Sequence, residues 1–335
     1  MTDTPLPTGK EYPKDRLSRD FTWVNETPRG DGALAVKLLV PSSWQEDIIV
    51  AAPSVSTFRL APLVLFSSPD KREFIQIQTV RLEREISAEH WLRYFGLVSD
   101  YTPIQIIKIS PVFADSLCDF SIEGNAFRGR FAARIRGDLL FLISIFCPAD
   151  RYAQRAEAFG VTIASFRPTS SPNQPFIEER KEAGLEDIVA FQYPASWKIR
   201  FVPPGPGKAA ADLITLNDGQ PTGLLRVKTT SKDHAQDNEI IVRDTLDEFK
   251  DAGFTPDELR INVGIEIANP RFVSGFLRMF GGHTGVGLPQ ELWIVVIEDT
   301  GHYVAISLLS PIPEQEYLIW AQNRRTLDIV TGSLS

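Results

Sequence analysis

Residues 36–44, with the sequence VKLLVPSSW, are echoed 153 positions later by residues 189–197, VAFQYPASW. In both copies, an apolar and partly alternating run ends at a proline, which is followed by two small residues and a tryptophan. Such a run predicts a β-strand, and the proline predicts where the strand ends. We therefore expect two domains that open on the same strand.

Further matches occur in the same order along the chain. Residues 101–103 (YTP) return as residues 254–256 (FTP) at the same separation, and the Ile-Ser and Pro of 143–148 return in 306–311 at a separation of 163. The increase of ten positions predicts an insertion in the second half, near the glycine-rich residues 276–290. Two unrelated α+β domains that share proline–tryptophan turns remain the alternative.

The chain length of 335 residues suits two domains of ordinary size, each able to bury its own core. Residues 168–182 are rich in proline, serine and charge, a composition typical of an exposed linker. The predicted organisation is a loose N-terminal arm at 1–19, a first domain at 20–168, a linker at 169–182 and a second domain at 183–335.

Both halves show strands, a helix, further strands that end in a hairpin, and a last helix. In the first half, Ser87 is a predicted N-cap, and a helix at 149–159 is predicted to end at Gly160. In the second half, the predicted helices are 239–252 and one that opens at Pro313. This order predicts an α+β fold of two tandem similar domains, each an antiparallel sheet with helices packed on it.

The pattern resembles the PsbP-like fold. The features that carry the resemblance are the strand–Pro–x–x–Trp openings at 41–44 and 194–197, the middle helix, the hairpin at the end of the sheet, and the terminal helix with its Ala-Ser-Phe or Gly-Ser-Leu tail. Members of this fold include photosystem accessory proteins, a Ran-binding transport factor, the DcrB lipoproteins and the Eag chaperones of type VI secretion. The lipobox of the DcrB proteins and the transit peptide of PsbP are not found here.

The resemblance to the Eag chaperones implies a paired surface that binds apolar helices of a toxin effector. A tandem chain would supply both halves of that pair covalently.

The charge balance bears on the class of partner. Lys and Arg number 35 and Asp and Glu number 43, which gives a net charge of −8. Because phosphate binding depends on basic side chains that release counterions, nucleic acid is not an expected partner.

The longest apolar run, 139–147, is too short to span a bilayer, and residues 1–21 lack the apolar core of a signal peptide. We expect a cytoplasmic protein without membrane insertion.

The sequence contains no recognised motif of catalysis or cofactor binding. Residues 203–208 end in Gly-Lys like a phosphate-binding loop, but Val202 and Ala209 replace the Gly and the Ser or Thr that such a loop requires. Cys118 and Cys147 lie in apolar stretches and are predicted to be buried, reduced thiols. We expect no catalytic residue, no cofactor and no metal site, and therefore no enzyme.

One apolar cluster is a candidate for partner binding. Phe276, Leu277, Met279 and Phe280 surround a single arginine just before the glycine-rich stretch. If they lie on an extended loop, they form an exposed patch of the kind that binds partners, and methionine suits an adaptable surface. If they lie in the sheet, they belong to the core.

These observations predict a non-enzymatic adaptor or chaperone that binds a protein client, with apolar helices of a type VI secretion effector as one candidate. The client's apolar segments would be buried against sheet faces or in a groove between the domains. The alternative is a small-molecule-binding protein, or an enzyme whose site is not visible in the sequence.

Overall fold

The computed structural model describes residues 6–47, 60–99, 101–169, 171, 174–205, 207–235, 237–267 and 269–335. The chain divides into two compact units, Met1–Ile177 (unit 1) and Glu178–Ser335 (unit 2).

Unit 1 is built on a large antiparallel sheet. Its strands are β1 (Phe21–Glu26), β2 (Val36–Pro41), β3 (Gln45–Glu46), β4 (Ala61–Ser67), β5 (Phe74–Arg81), β6 (Tyr101–Ser110), β7 (Phe113–Ile122), β8 (Asn125–Arg136), β9 (Leu139–Pro148) and β10 (Arg167–Pro168). Its helices are α1 (Lys14–Asp20), α2 (Ala88–Val98) and α3 (Tyr152–Ser165), with short 3-10 helices at Pro28–Gly30, Gly32–Leu34 and Ala149–Arg151. The large sheet has the order β3-β4-β5-β9-β8-β7-β6, and a small sheet has the order β1-β2-β10.

Unit 2 repeats this plan. Its strands are β11 (Arg180–Leu185), β12 (Val189–Pro194), β13 (Lys198–Gly205), β14 (Lys208–Asn217), β15 (Gln220–Ser231), β16 (Phe254–Gly264), β17 (Ser274–Thr284), β18 (Pro289–Glu298) and β19 (His302–Pro311), and its helices are α4 (Asn238–Asp251) and α5 (Pro313–Gly332). The large sheet has the order β13-β14-β15-β19-β18-β17-β16, which matches unit 1 strand for strand. Sheets dominate both units, so the predicted α+β class holds only in the coarse sense that helices pack on antiparallel sheets.

The two faces of each large sheet pack against different elements. Because side chains alternate along a strand, one face, called face A, carries Phe141 and Ile143 in unit 1 and packs against β2 and α3. Face A of unit 2 packs in the same way against β12 and α5. The opposite face, face B, packs against α2 in unit 1, where Phe95 lies 6.4 Å from Phe131 between ring centroids, and against α4 in unit 2.

Local sequence signals placed several elements correctly. The Ser87 hydroxyl accepts a hydrogen bond from the amide of His90 at the start of α2, as an N-cap does. Gly137 has a positive φ in the turn between β8 and β9, and Pro313 lies in the first turn of α5. These features depend on a few adjacent residues, which is why the sequence alone predicts them.

The N-terminal arm was expected to be loose, but its described residues, 6–19, pack on unit 1. Leu6 is buried, and the carbonyl oxygen of Pro7 accepts a hydrogen bond of 2.7 Å from Nη1 of Arg130. Gly160 does not end a helix at 149–159; it lies inside α3 and faces the arm. A Cβ at Gly160 would lie 2.6 Å from the nitrogen of Gly9 and 2.7 Å from the oxygen of Pro7.

Gly160→Ala is therefore expected to displace the arm while the helix remains. Alanine normally favours a helix by about 1 kcal/mol over glycine, so only the contact with the arm opposes the change. We expect trypsin to cut at Lys10 at least several-fold faster in this variant. Gly332→Ala in α5 is the matched control, because a Cβ there meets no atom within 4 Å. Equal cleavage rates in both variants would show that Gly160 does not hold the arm.

The connections between strands also correct two boundaries. Strand β11 begins at Arg180, inside the expected linker 169–182, and pairs with β12. The extra length of the second half lies mainly in the connection at 265–273, which stands where unit 1 has the short connection at 111–112. It does not lie near 276–290, since most of that segment belongs to β17 and β18.

Candidate partner-binding site

The outermost strand of the unit 1 sheet, β6, is unusually apolar for an edge. Its sequence, YTPIQIIKIS, places four isoleucines in the last strand of the sheet order. Ile109 is 55% exposed and Ile104 is 37% exposed. An edge strand presents unpaired backbone groups, so natural proteins usually protect it with charge, proline or bulges. Here Pro103, Lys108 and two register shifts, at Ile104 and Ile109, are features of that kind, and they leave both isoleucines exposed.

Helix α2 extends this apolar surface. The amide of Tyr101 donates to the carbonyl of Ser99 at 2.7 Å, and the amide of Ala88 donates to the carbonyl of Pro111 at 2.8 Å. The helix therefore runs antiparallel to β6, with its C-terminal end beside the start of the strand. We call the exposed apolar side chains of this region the β6 edge; they are Leu97, Val98, Ile104, Ile109 and Val112.

The corresponding edge strand of unit 2, β16, is more polar. Its sequence, FTPDELRINVG, exposes Asp257, Glu258 and Arg260, and Nε of Arg260 lies 2.7 Å from the Glu258 carboxylate. Leu259 and Val263 are exposed among these charges. Charged side chains on an edge oppose the addition of another strand. The two units thus have the same edge position with different chemistry.

The four residues predicted from the sequence lie in β17, not on an extended loop. Leu277 and Met279 point to face A, where Met279 is only 7% exposed, whereas Phe276 and Phe280 point to face B near α4. Of the two alternatives, the structure therefore has the core arrangement, because alternation divides the cluster between two cores. Partner binding through these residues stays a prediction.

The arginine within that cluster, Arg278, has a structural partner. Its guanidinium lies 5.0 Å from the centre of the Phe276 ring, and its Nη1 donates to the Glu239 carboxylate of α4 at 2.8 Å. The contact anchors the start of α4 to β17.

A second ionic group joins α4 to the sheet of unit 2. The fully buried Asp212 accepts hydrogen bonds of 2.7 Å from both Arg200 and Arg226, and the Glu248 carboxylate of α4 accepts from Arg226 at 3.1 Å and from Lys228 at 2.5 Å. Burial raises the pKa of Asp212, but the hydrogen bonds from Arg226 and Arg200 outweigh burial and leave the pKa below its ordinary value. The group is therefore ionised and structural at neutral pH.

Unit 1 has a buried ion pair on the other face of its sheet. Nε of Arg130 lies 3.1 Å from Oδ1 of Asp115, and the second guanidinium nitrogen also contacts that carboxylate. The two side chains are 2% and 9% exposed. Along the same strand pair, Arg128 and Asp119 make a similar two-point contact at 2.6 and 2.8 Å, but these side chains are 37% and 41% exposed.

A cavity of about 520 Å³ lies at the surface of unit 1. Its lining includes Arg16, Arg19 and Arg155, which lie 2.9–3.2 Å from the carboxylates of Asp20 and Glu73. Because these cations already have carboxylate partners, the cavity does not present free positive charge to an anion.

A cavity of about 530 Å³ lies at one end of the unit 2 sheet. It lies where β15, β18 and β19 come together with the start of α5, and Glu316 is the charged residue of its lining. The Thr222 hydroxyl and the Gln290 carboxamide oxygen are buried there without a hydrogen-bond partner in the described part of the chain. Sequence reasoning did not find this cavity.

Neither cysteine has the environment of a nucleophile. Cys118 and Cys147 are buried free thiols, as predicted, and burial raises their pKa to about 11 and about 12. Among the described residues, no three His, Cys, Asp or Glu side chains cluster as metal ligands would. No helix in the described ranges has the length and apolar character needed to cross a membrane.

No family model matches the chain, and no curated protein matches it in sequence. Among solved structures, the chain is similar to the cyanobacterial PsbP protein CyanoP from Synechocystis sp. PCC 6803, with 14% identity, a TM-score of 0.34, and coverage of 44% of this chain and 92% of that one. It is also similar to a chain of the Tle4-Tli4 complex, with 9% identity, a TM-score of 0.24, and coverage of 93% and 96%.

PsbP, whose fold the sequence resembles, is thus among the similar structures. At TM-scores below 0.5 these matches carry no argument about function, so the fold assignment rests on the strand order and register described above.

Proposed function

We propose that this chain binds a protein partner through the β6 edge. The observation that carries the proposal is an edge strand with exposed isoleucines, continued by the exposed end of α2. Exposed apolar side chains grouped on neighbouring elements are typical of interaction sites, and an open sheet edge can accept an added strand. The role fits an adaptor or chaperone in the cytoplasm, and the resemblance to the Eag chaperones makes a secretion effector one candidate client.

The proposed mechanism uses backbone and side chains together. The outward amide and carbonyl groups of β6 pair with an extended segment of the partner, which supplies affinity without strict sequence requirements. Ile104 and Ile109 are then buried, and the transfer of each from water to an apolar contact contributes about 1.5–3 kcal/mol at most. Because this contribution is not coulombic, binding is expected to survive high salt.

The test is capture of partners from native cytosol by the tagged full chain, at low and high salt, with identification by mass spectrometry. We expect a stoichiometric partner that survives high salt and whose affinity falls by at least about tenfold in the double variant Ile104→Lys/Ile109→Lys, since two apolar contacts are lost and two charges are placed on the edge. Val263→Lys is the matched control, because Val263 is 51% exposed on the equivalent strand β16.

Two results would contradict the proposal. One is that the protein emerges alone at both salt concentrations. The other is that the β6 variant and the β16 control retain the partner equally, which would place the interface elsewhere.

A further inference from the structure

The two large sheets can be compared residue by residue. In unit 1, Phe146 precedes by two positions the proline that ends β9; in unit 2, Leu309 precedes by two positions the proline that ends β19. Phe74 pairs with Phe146, and Leu224 pairs with Leu309. The residues opposite the two terminal prolines are Phe127 in unit 1 and Gln290 in unit 2. The positions are therefore equivalent in the repeat.

In unit 1, aromatic rings fill this end of face B. The Phe146 ring lies 5.4 Å from that of Phe74 and 6.0 Å from that of Phe127, between centroids. Phe120 joins them at 5.3 Å from Phe146. These separations are those of packed aromatic pairs. The fold thus accommodates several rings at this place.

In unit 2, smaller or polar side chains replace three of these rings. Leu224, Gln290 and Leu309 all line the cavity of about 530 Å³. The cavity volume falls in the range of ordinary ligand sites. Three positions that carry phenylalanine in unit 1 therefore line an open cavity in unit 2.

We propose that this cavity binds an aromatic side chain presented by a peptide segment of the partner. The ring would pack between Leu224 and Leu309, where unit 1 has its own rings. A donor beside the ring, such as a peptide amide or a phenol hydroxyl, would pair with the Gln290 carboxamide oxygen or the Thr222 hydroxyl once that side chain rotates towards the cavity.

Charge complementarity further restricts which residues the peptide carries beside the aromatic one. The lining contains the Glu316 carboxylate and neither lysine nor arginine, and the whole chain has a net charge of −8. A peptide with a basic residue next to the aromatic one is favoured, and an anionic ligand is disfavoured. The inference rests on the proposed function only in that the ring comes from a protein partner.

The test uses a defined probe: the acetylated dipeptide amide of 4-fluorophenylalanine and lysine, observed by fluorine NMR with the full chain. We expect its line to broaden on addition of the protein, and its affinity to fall by at least about tenfold in Leu309→Phe, which places the unit 1 ring in the cavity. Should this variant not fold, Gln290→Phe makes the same test at the start of β18. Leu259→Phe is the control, since Leu259 is exposed on β16 outside the cavity lining.

A second probe, in which aspartate replaces the lysine, is expected to bind several-fold more weakly because of Glu316. No broadening with the wild-type protein, or equal binding by wild type and both filled variants, would overturn the inference.

The two proposals fail in different ways. The variant Ile104→Lys/Ile109→Lys is expected to bind the probe as wild type does, since its changes lie in unit 1. Probe binding without any captured partner would overturn the proposed function and assign the ring to a small molecule. A captured partner without probe binding would overturn the cavity inference and leave the proposed function standing.

Discussion

Replacement of Asp115 by alanine is expected to lower the free energy of unfolding of unit 1 by about 3–5 kcal/mol. The change leaves the guanidinium of Arg130 buried without its carboxylate, and a buried unpaired charge is strongly unfavourable. The same guanidinium holds the carbonyl of Pro7, so the N-terminal arm should loosen as well. Urea unfolding, followed by amide hydrogen exchange in β7 and β8, measures the loss.

The neighbouring pair provides a matched control on the same two strands. Asp119→Ala removes a similar two-point contact to Arg128, but both side chains are partly exposed, so about 0–1 kcal/mol is expected. The double variant Asp115→Leu/Arg130→Met should recover most of the stability that Asp115→Ala loses, because it removes both charges. Equal losses of unfolding free energy in Asp115→Ala and Asp119→Ala would show that burial does not determine how much each ion pair contributes to stability.

Replacement of Asp212 by asparagine is expected to destabilise unit 2 by about 3 kcal/mol at neutral pH, because Arg226 loses its charged acceptor beneath α4. The pKa of Asp212 is lower in the folded protein than its ordinary value, so its contribution to stability is fully present above about pH 4 and is lost as the pH falls through the lowered pKa. Thermal unfolding from pH 7 to pH 2, combined with hydrogen exchange in β14 and β15, checks both statements.

In the Asp212→Asn variant, this part of the acid sensitivity of unit 2 should disappear. Glu258→Gln is the control, since Glu258 is 63% exposed on β16 and its pair with Arg260 is solvated. An unchanged pH profile in Asp212→Asn, or a loss as large in Glu258→Gln, would contradict the assignment of this acid sensitivity to the buried network.

Sequence reasoning succeeded where a few adjacent residues determine structure. The strand–proline–tryptophan echo at 36–44 and 189–197 marks β2 and β12, and Ser87 and Pro313 mark helix starts. The Gly137-Asp138 pair likewise predicted the hairpin of β8 and β9. These signals act within one element, so distant contacts do not alter them.

The same reasoning failed where distant segments decide the outcome. The sequence predicts a helix end at Gly160, yet this residue lies within α3, where the lack of a side chain lets the backbone of the arm pack against it. The sequence left open whether Phe276 and Met279 lie on a loop or in the core, because only the long-range pairing of β17 divides them between the two faces of the sheet. The cavity of unit 2 also depends on register, which pairs Leu309 with Leu224; the repeat separation of 163 could have indicated the exchange of Phe146 for Leu309.

The two sheets have the same strand order, and tandem domains of one topology can misfold by exchanging equivalent segments. The surfaces beneath the middle helices make such an exchange unfavourable. Glu248 of α4 pairs with Arg226 and Lys228, whereas the register-equivalent residues of unit 1 are Gln76 and Gln78, which carry no charge. An α4 packed on the sheet of unit 1 would leave the partly buried Glu248 carboxylate without a cationic partner, so the divergence between the copies favours the pairing of each helix with its own sheet.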